Sequence, residues 1–359
     1  MRIIIGGGIV GTAIAYYLSA AGLKDIVLIE KEKLLGTAVT QYCSGGVRHQ
    51  FTTEINCKFS IESMKTINLL AKEIDYKKYG YLILDMEEGV TEPRVKMQNR
   101  LGIKSKILSA AQIKERFPFL NTPGIKKGSF FEEDGVADPS SLLAYYEKRA
   151  KANGVRFLTG TTVLAMIKEE GKITGIKTDK GNFNSEVVIL AAGVGSKELG
   201  STIGLDIPIM HKRKYILVVE SFNFDYPLIM EIPTGWYIKK EGSDALVGMS
   251  GKIEDKSFEK QSEASDETIE ASINRIPDLE KSGIKKVLTS LSDETPDKHA
   301  IIDMPIPGLI IATGFSGHGF MHSPATGQIV ASLVKGERPV IDISELKLNR
   351  QHIKETIAI

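Results

Sequence analysis

The chain opens with the apolar run Arg2-Ile3-Ile4-Ile5, then three glycines, then IVGTAIAYYLSAAG, then Asp25-Ile26-Val27-Leu28-Ile29-Glu30. A short apolar run bounded by turn residues reads as a buried strand, and the longer stretch carries its apolar positions at helical spacing. Strand, glycine turn, helix and strand in that order predict a βαβ unit at the very start. Residues 135–205 have the same character. There Asp138-Pro139 predicts an N-cap and a first helical residue, and the helix SLLAYYEKRAKAN should stop at Gly154. The strands VRFLTGTTV, AMIKEEGKITGIKTDKG and EVVILAAG follow. A third such stretch, from residue 296 onward, holds the strand GLIIAT, a glycine-rich turn and the helix PATGQIVASLVKG.

Two stretches of different character interrupt this pattern, residues 86–134 and 206–295. The second alternates the β-rich runs KYILVVE, GWYIKK and ALVGM with a polar segment, residues 252–270, which reads as a surface loop leading into a helix. Interleaving of this kind predicts a two-domain α/β protein. Residues 1–85, 135–205 and 296–359 would form a discontinuous Rossmann-type domain. Residues 86–134 and 206–295 would form an α+β domain built on a mainly antiparallel sheet.

The glycine turn carries the first chemistry. Gly6-Gly7-Gly8-Ile9-Val10-Gly11 matches GxGxxG, and its context gives the match weight: a strand before it, a helix after it, and Glu30 about twenty residues on at the end of the next strand. Gly6 permits the tight turn, Gly8 lets backbone approach a pyrophosphate, and Gly11 lets helix pack on strand. The helix start at Ile9 and Val10 offers free N–H groups and a positive dipole end to phosphate. Glu30, with Lys31 beside it, stands where ribose hydroxyls would bind, and an acidic residue there disfavours a 2′-phosphate.

Composition narrows the field further. A net charge of +1, from 46 basic and 45 acidic residues, excludes a polyanion-binding surface, so no nucleic-acid partner is expected. The basic runs Lys212-Arg213-Lys214 and Lys285-Lys286 read as solvated surface. Cys43 and Cys57 are the only cysteines and make no zinc spacing or disulfide framework, so no metal is expected and a reducing compartment is implied. Residues 3–18 are apolar but hold four glycines and are too short to span a bilayer. With the first strand starting at Arg2, a soluble, cytoplasmic protein is expected.

The fingerprint cannot separate FAD from NAD, but further motifs can. Ser44-Gly45-Gly46-Val47-Arg48, Asp134-Gly135 with Asp138-Pro139, the run Val187 to Gly193, Thr295-Pro296-Asp297, and Gly314-Phe315-Ser316-Gly317-His318-Gly319-Phe320 stand in order along the chain. As a set they resemble the D-amino-acid oxidase superfamily, within it the sarcosine oxidase, glycine oxidase and proline dehydrogenase β-subunit group, over nearly the whole chain. The resemblance implies FAD, with its flavin ring between the two domains. Ser44 and Gly45 lie on the flavin-side segment. Thr162 and Val163 stand near the adenine, where backbone groups could pair with the base, and Ala192 and Gly193 end an apolar strand with small residues that admit the cofactor. Gly314, Ser316, Gly317, His318, Gly319, Phe320 and Met321 precede a helix, so their N–H groups would face the pyrimidine edge of the flavin and stabilise its charge on reduction.

The same resemblance places Arg48 at the substrate carboxylate, which a guanidinium fork can hold bidentately. His49 beside it could tune a substrate proton, and Tyr237 comes from a region supplying pocket aromatics. The departures are informative. Met321 replaces a lysine that assists carboxylate binding in monomeric sarcosine oxidases, and Ser292 replaces an arginine of glycine oxidases. Ser290 stands where sarcosine oxidases attach flavin through cysteine, so the FAD should be non-covalent. Leu246 falls where those enzymes place a lysine that promotes the oxygen reaction, with Lys239, Lys240 or Lys252 as substitutes. A dehydrogenase passing electrons to a quinone or redox protein is therefore expected over an oxidase. The expected reaction is oxidation of the C–N bond of a small secondary or N-methyl amino acid, such as sarcosine or proline, giving an imine that hydrolyses. Two alternatives are an FAD-dependent 2-hydroxy-acid dehydrogenase, which would need His49 or His318 as base, and a flavin-bearing subunit of a hetero-oligomer.

Overall fold

In the computed structural model, residues 1–220, 225–249, 261–351 and 354–357 are described. Six strands form one sheet in the order Ile301–Ile306, Leu309–Thr313, Val187–Leu190, Arg2–Ile5, Ile26–Ile29 and Arg156–Leu158. All neighbours run parallel except the first pair. The central strands are covered on both faces, which is why they read as unbroken apolar runs. The two-residue side-chain period divides them cleanly. Ile4, Ile26 and Leu28 pack against helices Ile9–Ala20, Pro139–Ala152 and Gly319–Lys335 through Ile14, Leu18, Ala150 and Val330. Ile3, Ile5, Val27 and Ile29 face a three-stranded meander, Val163–Glu169, Lys172–Thr178 and Gly181–Asn184, through Met166, Ile173 and Ile176.

The Asp138 carboxylate caps its helix as expected, accepting from the N–H groups of Ser140 at 3.0 Å and Ser141 at 3.1 Å. The run expected as one strand from Ala165 to Gly181 is a hairpin, because Glu170 and Gly171 both adopt positive φ and turn the chain. The last long helix begins at Gly319 rather than at Pro324, so the proline lies inside it. The Phe320 carbonyl, which would receive the missing N–H of residue 324, accepts the Ser323 hydroxyl at 2.9 Å instead.

An eight-stranded sheet runs Ile284–Glu294, Met210–Glu220, Asp244–Gly248, Tyr237–Glu241, Leu228–Ile232, Tyr81–Asp85, Lys127–Phe131 and Lys106–Ser109. It is antiparallel apart from one parallel pair, Leu228–Ile232 with Tyr81–Asp85. Residues 81–85, grouped by sequence with the first stretch, thus belong to this sheet, because their register is filled by partners on both sides. One face buries Leu82, Leu84, Phe130, Leu217, Ile238 and Trp236. The other presents Tyr81, Ile83, Leu228 and Tyr237. Of the polar segment 252–270, the part through residue 260, Lys252 included, lies outside the described residues, and helix Gln261–Arg275 follows. No helix among the described residues is long and apolar enough to cross a membrane.

Candidate active site

The three fingerprint glycines do three different things. Gly6 has φ +109°, and a Cβ on it would lie 2.3 Å from the Ala191 carbonyl oxygen. A Cβ on Gly11 would lie 1.9 Å from the Gly6 carbonyl oxygen, so Gly11 sets helix against strand. Gly8 has ordinary extended backbone, and a Cβ there would meet only Thr40 Oγ1, at 3.4 Å. The space above Gly8 is open, and the helix start beside it has no side-chain cap and no acidic residue in its first turn. The Ile9 N–H donates to Thr40 Oγ1 at 3.1 Å. Glu30 Oε2 accepts the Gly7 N–H at 2.6 Å, tying the turn to the end of the second strand. Its lone pairs are not exhausted by that bond.

A cavity of about 690 Å³ runs from this turn to the face of the eight-stranded sheet. At the fingerprint end it is lined by Gly6, Gly8, Ile9, Val10, Glu30 and Lys31, with Val163, Ala192 and Gly193 beside them. At the sheet end Ser44, Arg48, Tyr81, Tyr237, Lys214 and Ser290 line it. Gly317, His318, Gly319, Phe320 and Met321 complete the wall. Helix Gly319–Lys335 has neither a side-chain cap nor an acidic first turn, so its positive end also faces the cavity.

Several expected contacts are not brought here. Gly314 and Ser316 do not line the cavity, because Asp293 has taken their donors: its carboxylate accepts the Gly314 N–H at 2.8 Å and its carbonyl the Ser316 N–H at 3.0 Å. Gly45 is a turn residue at φ +72° whose Cβ would strike the Ala137 carbonyl oxygen at 2.2 Å. Thr162 lines the cavity, but its N–H and carbonyl are both engaged by Asp179. His49 points elsewhere: its Nδ1 and backbone N–H both lie 2.7 Å from Asp134 Oδ1, and its ring meets the edge of Phe131. The buried Asp134 carboxylate therefore uses His49 to hold the segment and keeps it out of the cavity.

Arg48 is 1% exposed. Its Nε donates to the Gln50 carbonyl at 3.2 Å, Nη1 to the Tyr81 hydroxyl at 3.1 Å, and Nη2 to the Ile357 carbonyl at 2.8 Å. Nη2 also lies 3.3 Å from His318 Nε2, which must accept, so the imidazole carries its proton on Nδ1. Four of the five guanidinium N–H groups are thus committed, and one on Nη1 remains. The bidentate grip expected from sequence is not available. The cation stacks on Phe51 at 4.5 Å, and no carboxylate among the described residues pairs with it. Burial, then the Arg48 charge, drives the His318 pKa well below the usual imidazole value, so this ring is neutral.

Lys214 corrects two expectations. The run Lys212-Arg213-Lys214 is not solvated surface: it lies in strand Met210–Glu220, and Arg213 is buried. Lys214 lines the cavity with Ile216, two residues on and on the same face. Leu246 does not line it, and Lys239 and Lys240 pair instead with Glu241 and Asp225. Burial, then the charge of Lys212, pushes the Lys214 pKa down to about 8. Its ammonium stands 3.7 Å from Glu294, a carboxylate shared with Lys212 and Lys298. Thr40, Tyr81 and Asp293 were not anticipated either. The polar run His211-Lys212-Arg213-Lys214 gave no sequence signal of the cavity, since it does not alternate with apolar residues.

An open glycine turn at one end of a long cavity and a buried cation with two tyrosines at the other define a dinucleotide-dependent oxidoreductase. The open approach to Gly8 and the two helix starts whose N-cap residues make no side-chain cap fit FAD. A model of the FAD dependent oxidoreductase family, DAO, matches residues 2–333, and the chain belongs to that family. It is 27% identical to the FAD-dependent oxidoreductase domain-containing protein 1 of Xenopus laevis, over 97% of this chain and 82% of that one. It is 26% identical to mitochondrial dimethylglycine dehydrogenase of Rattus norvegicus, again over 97% of this chain but only 44% of the relative. Among solved structures it resembles L-proline dehydrogenase from P. horikoshii, with TM-score 0.89, 26% identity and 96% of each chain covered. Glycine oxidase from Geobacillus kaustophilus, at 20% identity and TM-score 0.86 over 98% of each chain, shares the fold.

Proposed function

We propose that the protein oxidises the C–N bond of a small secondary or N-methyl amino acid. The observation that carries this reading is Arg48, a buried cavity-lining cation with no anionic partner among the described residues. Leaving it so is costly unless an anion arrives, and a substrate carboxylate is one. The remaining Nη1 donor and the Tyr81 hydroxyl are adjacent. Tyr81 accepts from Arg48 and keeps its own proton, and burial raises its pKa, so it stays a neutral donor. Together they would grip the carboxylate and orient the amine-bearing carbon. FAD bound along the cavity, non-covalently in view of Ser290, supplies the hydride acceptor. Tyr237 and Met321 give that region apolar walls. The names of relatives support the class: dimethylglycine dehydrogenase, L-proline dehydrogenase and 4-methylaminobutanoate oxidase.

A 2-hydroxy acid would need a base near the carbon. His318 is a poor one, neutral and already accepting from Arg48, and His49 faces away. The electron acceptor, a quinone or redox protein as against oxygen, no longer rests on Leu246; Lys214 supplies the cavity with a cation that favours a developing anion. Anaerobic bleaching of the flavin against secondary, N-methyl and primary amino acids and 2-hydroxy acids tests the proposal. Sarcosine, proline or a close analogue should bleach it fastest. Bleaching by hydroxy acids alone would replace this reading. A yellow protein that no acid reduces until a second subunit is added would favour the role of a flavin-bearing subunit.

A further inference from the structure

Arg350 and residues 354–357 lie far along the chain from Arg48, yet they are tied back to the fold at three points, the last of them on Arg48 itself. Arg350 grips Asp297 bidentately, Nε to Oδ2 and Nη2 to Oδ1, each at 2.7 Å. Glu355 is completely buried without a cationic partner among the described residues. Its carboxylate accepts instead from the N–H groups of Thr52 and Thr53 at 2.9 and 3.1 Å, from the Thr53 hydroxyl at 2.9 Å and from Asn56 Nδ2 at 3.2 Å. These donors open helix Glu54–Leu69, whose own N-cap residue, Thr53, makes no side-chain capping bond. A carboxylate from some 300 residues away thus holds the backbone immediately ahead of this helix and adds negative charge near its start, where the helix dipole favours it. Two residues on, Ile357 is fully buried against Tyr81, Leu228 and Tyr237, and its carbonyl accepts from Arg48 Nη2 at 2.8 Å.

We propose that Glu355 is a positioning residue for the substrate carboxylate: by docking the segment on helix Glu54–Leu69 it sets the Ile357 carbonyl, which turns the Arg48 guanidinium so that its open N–H faces the cavity. The inference rests on the reading of Arg48 as the carboxylate contact. Ile357 does not line the cavity; it stands behind the wall that Arg48, Tyr81 and Tyr237 form. Its carbonyl and His318 occupy Nη2, Gln50 occupies Nε, and so Nη1 is the edge presented to a ligand. Without the strap, Nη2 loses its shortest acceptor and the planar group is free to rotate away from the Tyr81 hydroxyl.

The test uses the holoprotein and small carboxylate ligands, each paired with its amide, followed by perturbation of the flavin absorbance. Wild type should prefer acid to amide. Glu355→Ala should weaken acid binding about 10-fold, the scale of one hydrogen bond to a charged group, and leave amide binding within about 2-fold. Glu355→Gln, which keeps the shape and one acceptor oxygen, should recover part of the loss and serves if the alanine variant does not fold. In the Arg48→Met background the Glu355 substitution should have no further effect on the acid, since the two act through one contact. Equal weakening of acid and amide by either Glu355 variant would make the strap merely structural and overturn the proposal. If Arg48→Met weakens acid and amide equally, so that the wild-type preference for acid persists, the reading of Arg48 falls, and the positioning role falls with it.

Discussion

Replacing Gly8 by valine separates the cofactor role of the fingerprint from its folding role. Gly8 sits at φ −75° and ψ −179°, a conformation valine adopts without strain. The nearest heavy atom to a Cβ there is Thr40 Oγ1 at 3.4 Å, ordinary contact, so the apoprotein should lose no more than about 1 kcal/mol. The added side chain instead fills the space over the helix start, where phosphate would approach the backbone N–H groups. Losing two charge-assisted hydrogen bonds of roughly 1.5–3 kcal/mol each amounts to about 3–6 kcal/mol, a rise in the FAD Kd of about 10²–10⁴-fold. Gly11→Ala is the control of opposite sign. Its Cβ would lie 1.9 Å from the Gly6 carbonyl oxygen, so helix and strand must separate and the apoprotein itself should be destabilised. Thermal unfolding of both apoproteins and titration with FAD by fluorescence quenching give the two quantities. A Gly8→Val protein that binds FAD like wild type, or an apo form as unstable as that of Gly11→Ala, would refute the reasoning.

Tyr81→Phe removes the hydroxyl adjacent to the open Arg48 donor, so kcat/KM for an amino acid should fall about 10-fold while that for its amide changes little. Equal losses would take Tyr81 out of the carboxylate site. Asp293→Ala strands the Gly314 and Phe315 N–H groups in a buried turn and should cost about 2–4 kcal/mol in apoprotein unfolding, partly restored by asparagine. A loss under about 0.5 kcal/mol would mean the turn holds itself. For Lys214, burial lowers the pKa to about 8 from 10.5, so between those values the unfolded chain binds the extra proton and the native chain does not. Stability from this group therefore increases with pH from about 8 to 10.5, and Lys214→Met should flatten that rise in Tm. Lys298, also lowered to about 8, should keep part of it. An unchanged slope would place the Lys214 ammonium in contact with water.

The βαβ unit, the Asp138-capped helix and the central strands were legible in the sequence because each is dictated locally. A strand buried on both faces must be apolar throughout, an N-cap needs a side-chain acceptor, and the chemistry of Gly6, Gly8 and Gly11 follows from the absence of a Cβ. Arg48 was reached differently, through the family resemblance that Ser44-Gly45-Gly46-Val47-Arg48 helps to carry. What those residues touch was decided only when distant segments met. Asp293 competes for the donors of Gly314 and Ser316, Asp134 turns His49 away, and the Ile357 carbonyl occupies the arginine expected to be free. Lys214 looked like surface because a strand of mixed polarity gives no sign of which sheet face will meet a cavity. Local chemistry specifies what a residue can do; the partners that long-range packing brings to it determine which of those capacities remains open.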